Sequence, residues 1–145
     1  MDVLGVMNIG YSALKAQTAR VNVISSNLAN METTRTPEGG PYQRKSVVFS
    51  SLESGFAGEL ARAENSRNPA QGVQVQRIET HEGAFKEVYD PAHPDANEEG
   101  YVKMPDISLV EEMTDLMQAK GSYEANVTSI KAAQRMALKA LQIGG

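Results

Sequence analysis

The sequence predicts a mainly α chain, with long N- and C-terminal coiled-coil-like helices and a small β-hairpin-rich insert between them. Three observations carry that expectation. Near the start, Leu4, Met7, Tyr11, Leu14, Thr18, Val21, Ser25 and Leu28 recur at alternating spacings of three and four. Near the end, Leu109, Met113, Leu116, Lys120, Tyr123, Val127, Ile130, Gln134, Ala137 and Leu141 do the same. Such spacing lays side chains along one stripe of a helix, the pattern of helices wound on other helices. Between the two runs the chain is rich in turns and short polar residues. The expected division is residues 1–31 for the first helix, 32–105 for the insert and 106–145 for the second helix.

The elements follow in order. The first helix is expected from about Val3 to Ala29 or Met31, with Gly5 and Gly10 each weakening it by roughly 1 kcal/mol relative to alanine. Asn27, Asn30, Thr33 and Thr34 compete for backbone hydrogen bonds and end it. Pro37 and the Gly39-Gly40-Pro41 run enforce a turn. Gln43 to Ser50 starts polar and ends apolar, as a strand does. Ser51 to Gln71 is glycine, serine, alanine, asparagine and charge, and reads as an exposed mobile loop, with a short helix near Glu59 to Ala63 as the alternative. Gly72 to Thr80 alternates at its start like a half-buried strand, and Ala84 to Tyr89 supplies another. Asp90 to Gly100 is an extended loop, because Pro91 and Pro94 push the residue before each away from helix. Pro105-Asp106 then opens the last helix, capped by Asp106 or Ser108. That helix runs for about 35 residues, near 50 Å, softened locally at Gly121.

The two helices differ in what surrounds them. Opposite the seam of the first lie Ile9, Ala16 and Val23, flanked by Val6 and Ala13, where a two-stranded coil would be polar. The second widens its seam with Val110, Met117 and Leu138 on one flank and Ala119, Ala133 and Ala140 on the other. Its far side holds Glu111, Asp115, Gln118, Ser122, Thr128, Ser129, Arg135 and Lys139 and is wet. A single two-helix contact does not offset the backbone entropy of two such helices. Neighbouring subunits are expected to complete them, or the termini stay disordered until assembly. The candidate assembly residues are Leu4, Met7, Ile9, Tyr11, Leu14, Val21, Val23 and Leu28 on the first helix. On the second they are Met113, Leu116, Tyr123, Val127, Ile130 and Leu141.

Composition narrows the function classes. A net charge of −4, spread along the chain, is not the basic footprint of a nucleic-acid binder. Cysteine is absent, which excludes disulfides and thiolate metal sites. The first residues, Met1-Asp2-Val3-Leu4-Gly5, lack the basic region, apolar core and cleavage site of a signal peptide. No run of about 18 apolar residues occurs, so direct membrane insertion is not expected. His81, Asp90, His93, Asp95, Glu98 and Glu99 are metal-ligating types, but their spacing fits no helical ligand pair. They read instead as a proline-braced loop whose Asn97 and Glu98 contact a neighbouring subunit or the β element. Gly39-Gly40 lacks the Lys-Ser/Thr and helix of a phosphate loop. Arg35, Arg44 and Lys45 form either an inter-subunit ion pair or a solvated turn. Tyr11 and Tyr123 are packing residues. No catalytic constellation is inferable, and no cofactor or metal is expected.

Three stretches carry a resemblance. Ser25-Ser-Asn-Leu-Ala-Asn30 is similar to the Asn-Leu-Ala-Asn signature that closes the N-terminal helix across flagellar rod and hook proteins. Thr33 to Lys45 resembles the continuation of one proximal rod subfamily. Tyr89 to Val102, leading into Val110-Glu-Glu-Met and Tyr123-Glu-Ala-Asn126, is similar to the family's C-terminal signature. The resemblance, to the flagellar basal-body rod protein family, covers about residues 1–50 and 72–145 and departs from the expected pattern at Lys120-Gly121. It implies a structural subunit of the torque-transmitting rod, exported by the flagellar type III apparatus without a cleaved signal. Implied partners are other flagellar rod proteins, a ring adaptor protein and further copies of the chain. The resemblance also implies concentric tubes of helices, with the C-terminal helix nearer the export channel. A soluble coiled-coil adaptor binding one partner helix is the alternative, and a small metal hydrolase a remote third.

Overall fold

Small side chains let two long helices meet, and the strands between them pack along one of the two. The computed structural model describes residues 3–52 and 72–143. Helix α1 spans Val3–Ala29 and helix α2 spans Leu109–Ile143. Gly10 lies over Ile130, while Asn27 bonds Glu112, so the helices run antiparallel. A Cβ added at Gly10 would stand 2.6 Å from Ile130 Cγ1, so the approach at that point requires glycine. Ala119 and Ala133 of α2 are buried, as are Ala16, Val23 and Ile24 of α1.

α1 stops where its polar residues take over the backbone. Asn30 Nδ2 donates to Ser26 O at 2.9 Å, and Thr33 Oγ1 donates to Asn30 Oδ1 at 3.1 Å. Strand β1 (Lys45–Ser51) then pairs antiparallel with β2 (Val73–Thr80). Val48 faces Arg77 but Phe49 faces Val75, so Gln76 is an extra residue that bulges β2. This hairpin lies along α1: Asn27 Nδ2 donates to Lys45 O at 2.8 Å, and Val73 N donates to Ser12 Oγ at 3.0 Å. Two strands alone are marginal in water, and α1 supplies the missing layer.

Strand β3 (Phe85–Tyr89) pairs antiparallel with β4 (Tyr101–Pro105). Their loop closes through Asn97, whose Oδ1 accepts from Glu99 N and Tyr101 N. Gly100 has φ +84°, and a Cβ there would lie 2.9 Å from Tyr89 Cε2. Only glycine fits that turn. Tyr89 and Tyr101 meet edge to face at 5.3 Å. Asp95 ties the loop to the segment after α1, accepting from Thr34 Oγ1 at 2.8 Å and from Arg35 Nη2 at 2.7 Å.

The expected mainly α class with a small insert is incorrect. Half of the described chain is helix and about a fifth is strand, in two antiparallel sheets. β4 shows why. Sequence reasoning makes Pro105 the start of the second helix, whereas it ends β4 opposite Phe85. Both strands of a two-stranded sheet are edges, which tolerate a proline lacking its N–H. α2 begins four residues later, capped by Ser108, whose Oγ accepts from Glu111 N at 3.4 Å. It then runs unbroken through Gly121. The expectation of a loop or short helix in Ser51 to Gln71 lies, beyond Leu52, outside the described residues.

Candidate assembly surface

Both apolar stripes of α1 exist, but their roles are exchanged relative to the sequence reading. The stripe expected to face other subunits turns into the chain: Ala16 and Val23 are buried and Ile9 is half-buried. The stripe expected to form the seam turns outward. Leu4, Tyr11, Thr18 and Ser25, seven residues apart, are all exposed, and Tyr11 keeps 71% of its surface in water. Met7, Leu14, Val21 and Leu28 are half-buried between the two faces. The reason is size: Gly10 allows the close approach to Ile130, which the larger seam side chains would prevent.

The inward stripe of α2 is likewise shifted. Its buried positions are Glu112, Ala119 and Ala133, with Leu116, Val127 and Ile130 half-buried. Met113 and Tyr123, expected on the seam, are exposed, and Leu141 is 74% exposed. Val110, Met117, Met136, Leu138 and Ile143 are exposed as well. Carrying the Gly10–Ile130 offset along the pair sets Leu4 beside Met136, so the last turn of α2 projects past α1. The end of the helix pair away from the β3–β4 hairpin therefore carries Met136, Leu138, Leu141 and Ile143 in water, while Tyr11 is exposed further in along α1.

At the other end the interior is polar. Glu112 and Asn27 are each 1% exposed. Arg44 Nε donates to Glu112 Oε1 at 2.6 Å, and Asn27 Nδ2 donates to Glu112 Oε2 at 3.0 Å. Arg20 Nη2 pairs with Asp115 at 3.2 Å beside it. Sequence reasoning takes Asn27 as a helix terminator and Arg44 as an inter-subunit or solvated charge. Instead both are intramolecular. Arg35, too, pairs within the chain, and the Lys45 ammonium sits 5.7 Å from the centre of the Tyr42 ring. The available signal was position. Asn27 follows Val23 and Ile24 at helical spacing, and Glu112 precedes Leu116 and Ala119, so each polar residue falls on an inward stripe.

The metal-type residues have other tasks. His81 Nε2 meets Ser46 Oγ at 2.9 Å, and His93 Nδ1 accepts from Asp95 N at 3.0 Å. Of the two contacts expected for Asn97, the structure shows the one to the β element: its Oδ1 accepts from Tyr101 N at the start of β4.

Comparison with known proteins places these features. A family model described as "Flagella basal body rod protein" matches residues 7–35, and one described as "Flagellar basal body rod FlgEFG protein C-terminal" matches residues 98–143. The chain is 46% identical over 149 residues to the flagellar basal-body rod protein FlgC of Bacillus subtilis, covering 99% of each. It belongs to the FlgC family of flagellar basal-body rod proteins. The FlgC proteins of Borreliella burgdorferi and Salmonella typhimurium are 39% and 37% identical, again over 99% of this chain and 98% and 99% of theirs. A FlgC-family chain is a structural component of the flagellar basal-body rod, assembled with other rod components, and not an enzyme. The adaptor reading is set aside. The two matched regions hold α1 with its polar terminus and α2 with Glu112, so the Asn27–Glu112 contact joins them.

Proposed function

We propose that this subunit joins the rod through the outward face and free end of its helix pair, while the insert stays peripheral. Residues 1–31 and 106–145 then form the axial part, and 32–105 an outer part. The observation that carries the reading is the exposed apolar side chains, Leu138 and Leu141 at the free end and Tyr11 on the outward face of α1, which stand in water although the chain has an interior of its own. Neighbouring subunits, as other rod proteins, a ring adaptor or further copies, cover this surface. Met7, Leu14, Val21 and Leu28, half-buried on the flank, complete the contact as the neighbour closes over them. Ile9 and Val23 support it from inside.

Torque then passes through close-packed helices, which resist displacement because small shifts lose many contacts at once. The exposed Gln118, Thr128, Ser129, Arg135 and Lys139 give α2 a wet side suited to the wall of an export channel. The chain itself leaves the cytoplasm by the flagellar type III route. The test is the double substitution Tyr11→Asp with Leu138→Asp in a flagellated cell. The expected result is a chain that is made and exported but absent from isolated basal bodies, with swimming lost. Swimming at the wild-type rate would overturn the reading.

A further inference from the structure

Where α1, α2 and β1 converge, the interior is built of charge and amide. Among the described residues the Glu112 carboxylate has one neutralising partner, Arg44, at 2.6 Å. The neighbouring Arg20 is engaged by Asp115 and Gln118. The Asn27 amide uses all four of its hydrogen-bonding valences. Its Oδ1 accepts from Lys45 N at 3.0 Å and from Tyr42 OH at 3.2 Å. Its Nδ2 donates to Lys45 O at 2.8 Å and to Glu112 at 3.0 Å. Asn27 thus holds both backbone groups of Lys45 as an adjacent strand would. Position 45 is fixed whatever its side chain, and residue 44 is delivered to Glu112.

We propose that this cluster is a conformational lock that makes closure of the helix pair conditional on docking of β1. With β1 and its preceding turn lifted away, Asn27 loses three of its four partners. Glu112 would then sit between the helices without a cation. A buried charge whose partner is removed strongly disfavours the closed state, so the helices part. The Gly10–Ile130 approach imposes no such condition, because it joins the two helices without the hairpin. Removing both charges in favour of apolar side chains therefore leaves the helices able to close alone. The lock is independent of how the subunit meets its neighbours.

Hydrogen exchange followed by mass spectrometry on the full-length chain tests this. In the wild type, the paired amides of β1–β2 and those of α1 and α2 beside the cluster are expected to exchange through one shared opening, with protection within about threefold. In Arg44→Met combined with Glu112→Leu, the helical protection should persist while that of β1–β2 falls by about tenfold or more. Two results overturn the lock. One is a wild-type hairpin exchanging about tenfold faster than the helices; the other is a double variant in which hairpin and helices still open together. Should the double variant fail to fold, the wild-type measurement decides alone.

Discussion

Replacing Arg44 by methionine keeps an unbranched stem and removes what is, among the described residues, the one cation paired with a carboxylate that is 1% exposed. The Coulomb attraction across the 2.6 Å contact disappears, and the Asn27 donor remains as the single compensation. Breaking a buried pair from one side costs about 3–5 kcal/mol. That is a large part of the roughly 5–15 kcal/mol by which a domain is stable. For a chain of this size each kcal/mol lowers the melting temperature by about 2–4 °C, so a drop of roughly 10 °C is expected by circular dichroism. Adding Glu112→Leu removes the stranded charge and should recover part of the loss, since apolar replacement of a buried pair is often neutral. The Asn27 donor then lacks one acceptor, which holds back about 1–3 kcal/mol. A single variant that melts within about 1 °C of the wild type would refute the reasoning, because Glu112 would then not depend on Arg44.

Val23→Asp places a charge in the contact between α1 and its own chain, and a loss of about 3–5 kcal/mol is expected. A protease-sensitive chain should result, distinguishing Val23 from the outward Tyr11. Gly10→Val drives a side chain into Ile130 and should cost about 1–3 kcal/mol, read as a lower urea midpoint with an unchanged slope. Gly100→Ala forces a Cβ against Tyr89 at a left-handed turn. A cost of about 1–3 kcal/mol is expected, with the ring resonances of Tyr89 and Tyr101 shifting together by nuclear magnetic resonance.

The periodic ends were legible because helices announce themselves by spacing, and the 35-residue length of α2 follows from that spacing and its cap. The existence of two apolar stripes on α1 was legible too. Their orientation was not, because a list of apolar positions does not weigh size. Gly10 looks weaker than Leu4 and Tyr11 on a hydrophobicity count, yet it is what permits the close contact with α2 at Ile130. β4 was missed because Pro105 signals a helix start and a strand end equally well, and only its pairing with Phe85 decides. The Asn27–Arg44–Glu112 cluster joins residues 85 positions apart. No local pattern links them, although a polar residue on each inward stripe was a clue.

The claim that the free end of the helix pair is where the rod takes hold is tested most directly by photo-crosslinking in swimming cells. A photoreactive phenylalanine analogue replaces Tyr11 in one strain and Leu138 in another, with the exposed Glu82 beyond β2 as the comparison site. Crosslinks from positions 11 and 138 to neighbouring rod subunits are predicted, with far weaker ones from position 82. Motile cells in which positions 11 and 138 capture no neighbour, while position 82 does, would contradict the account.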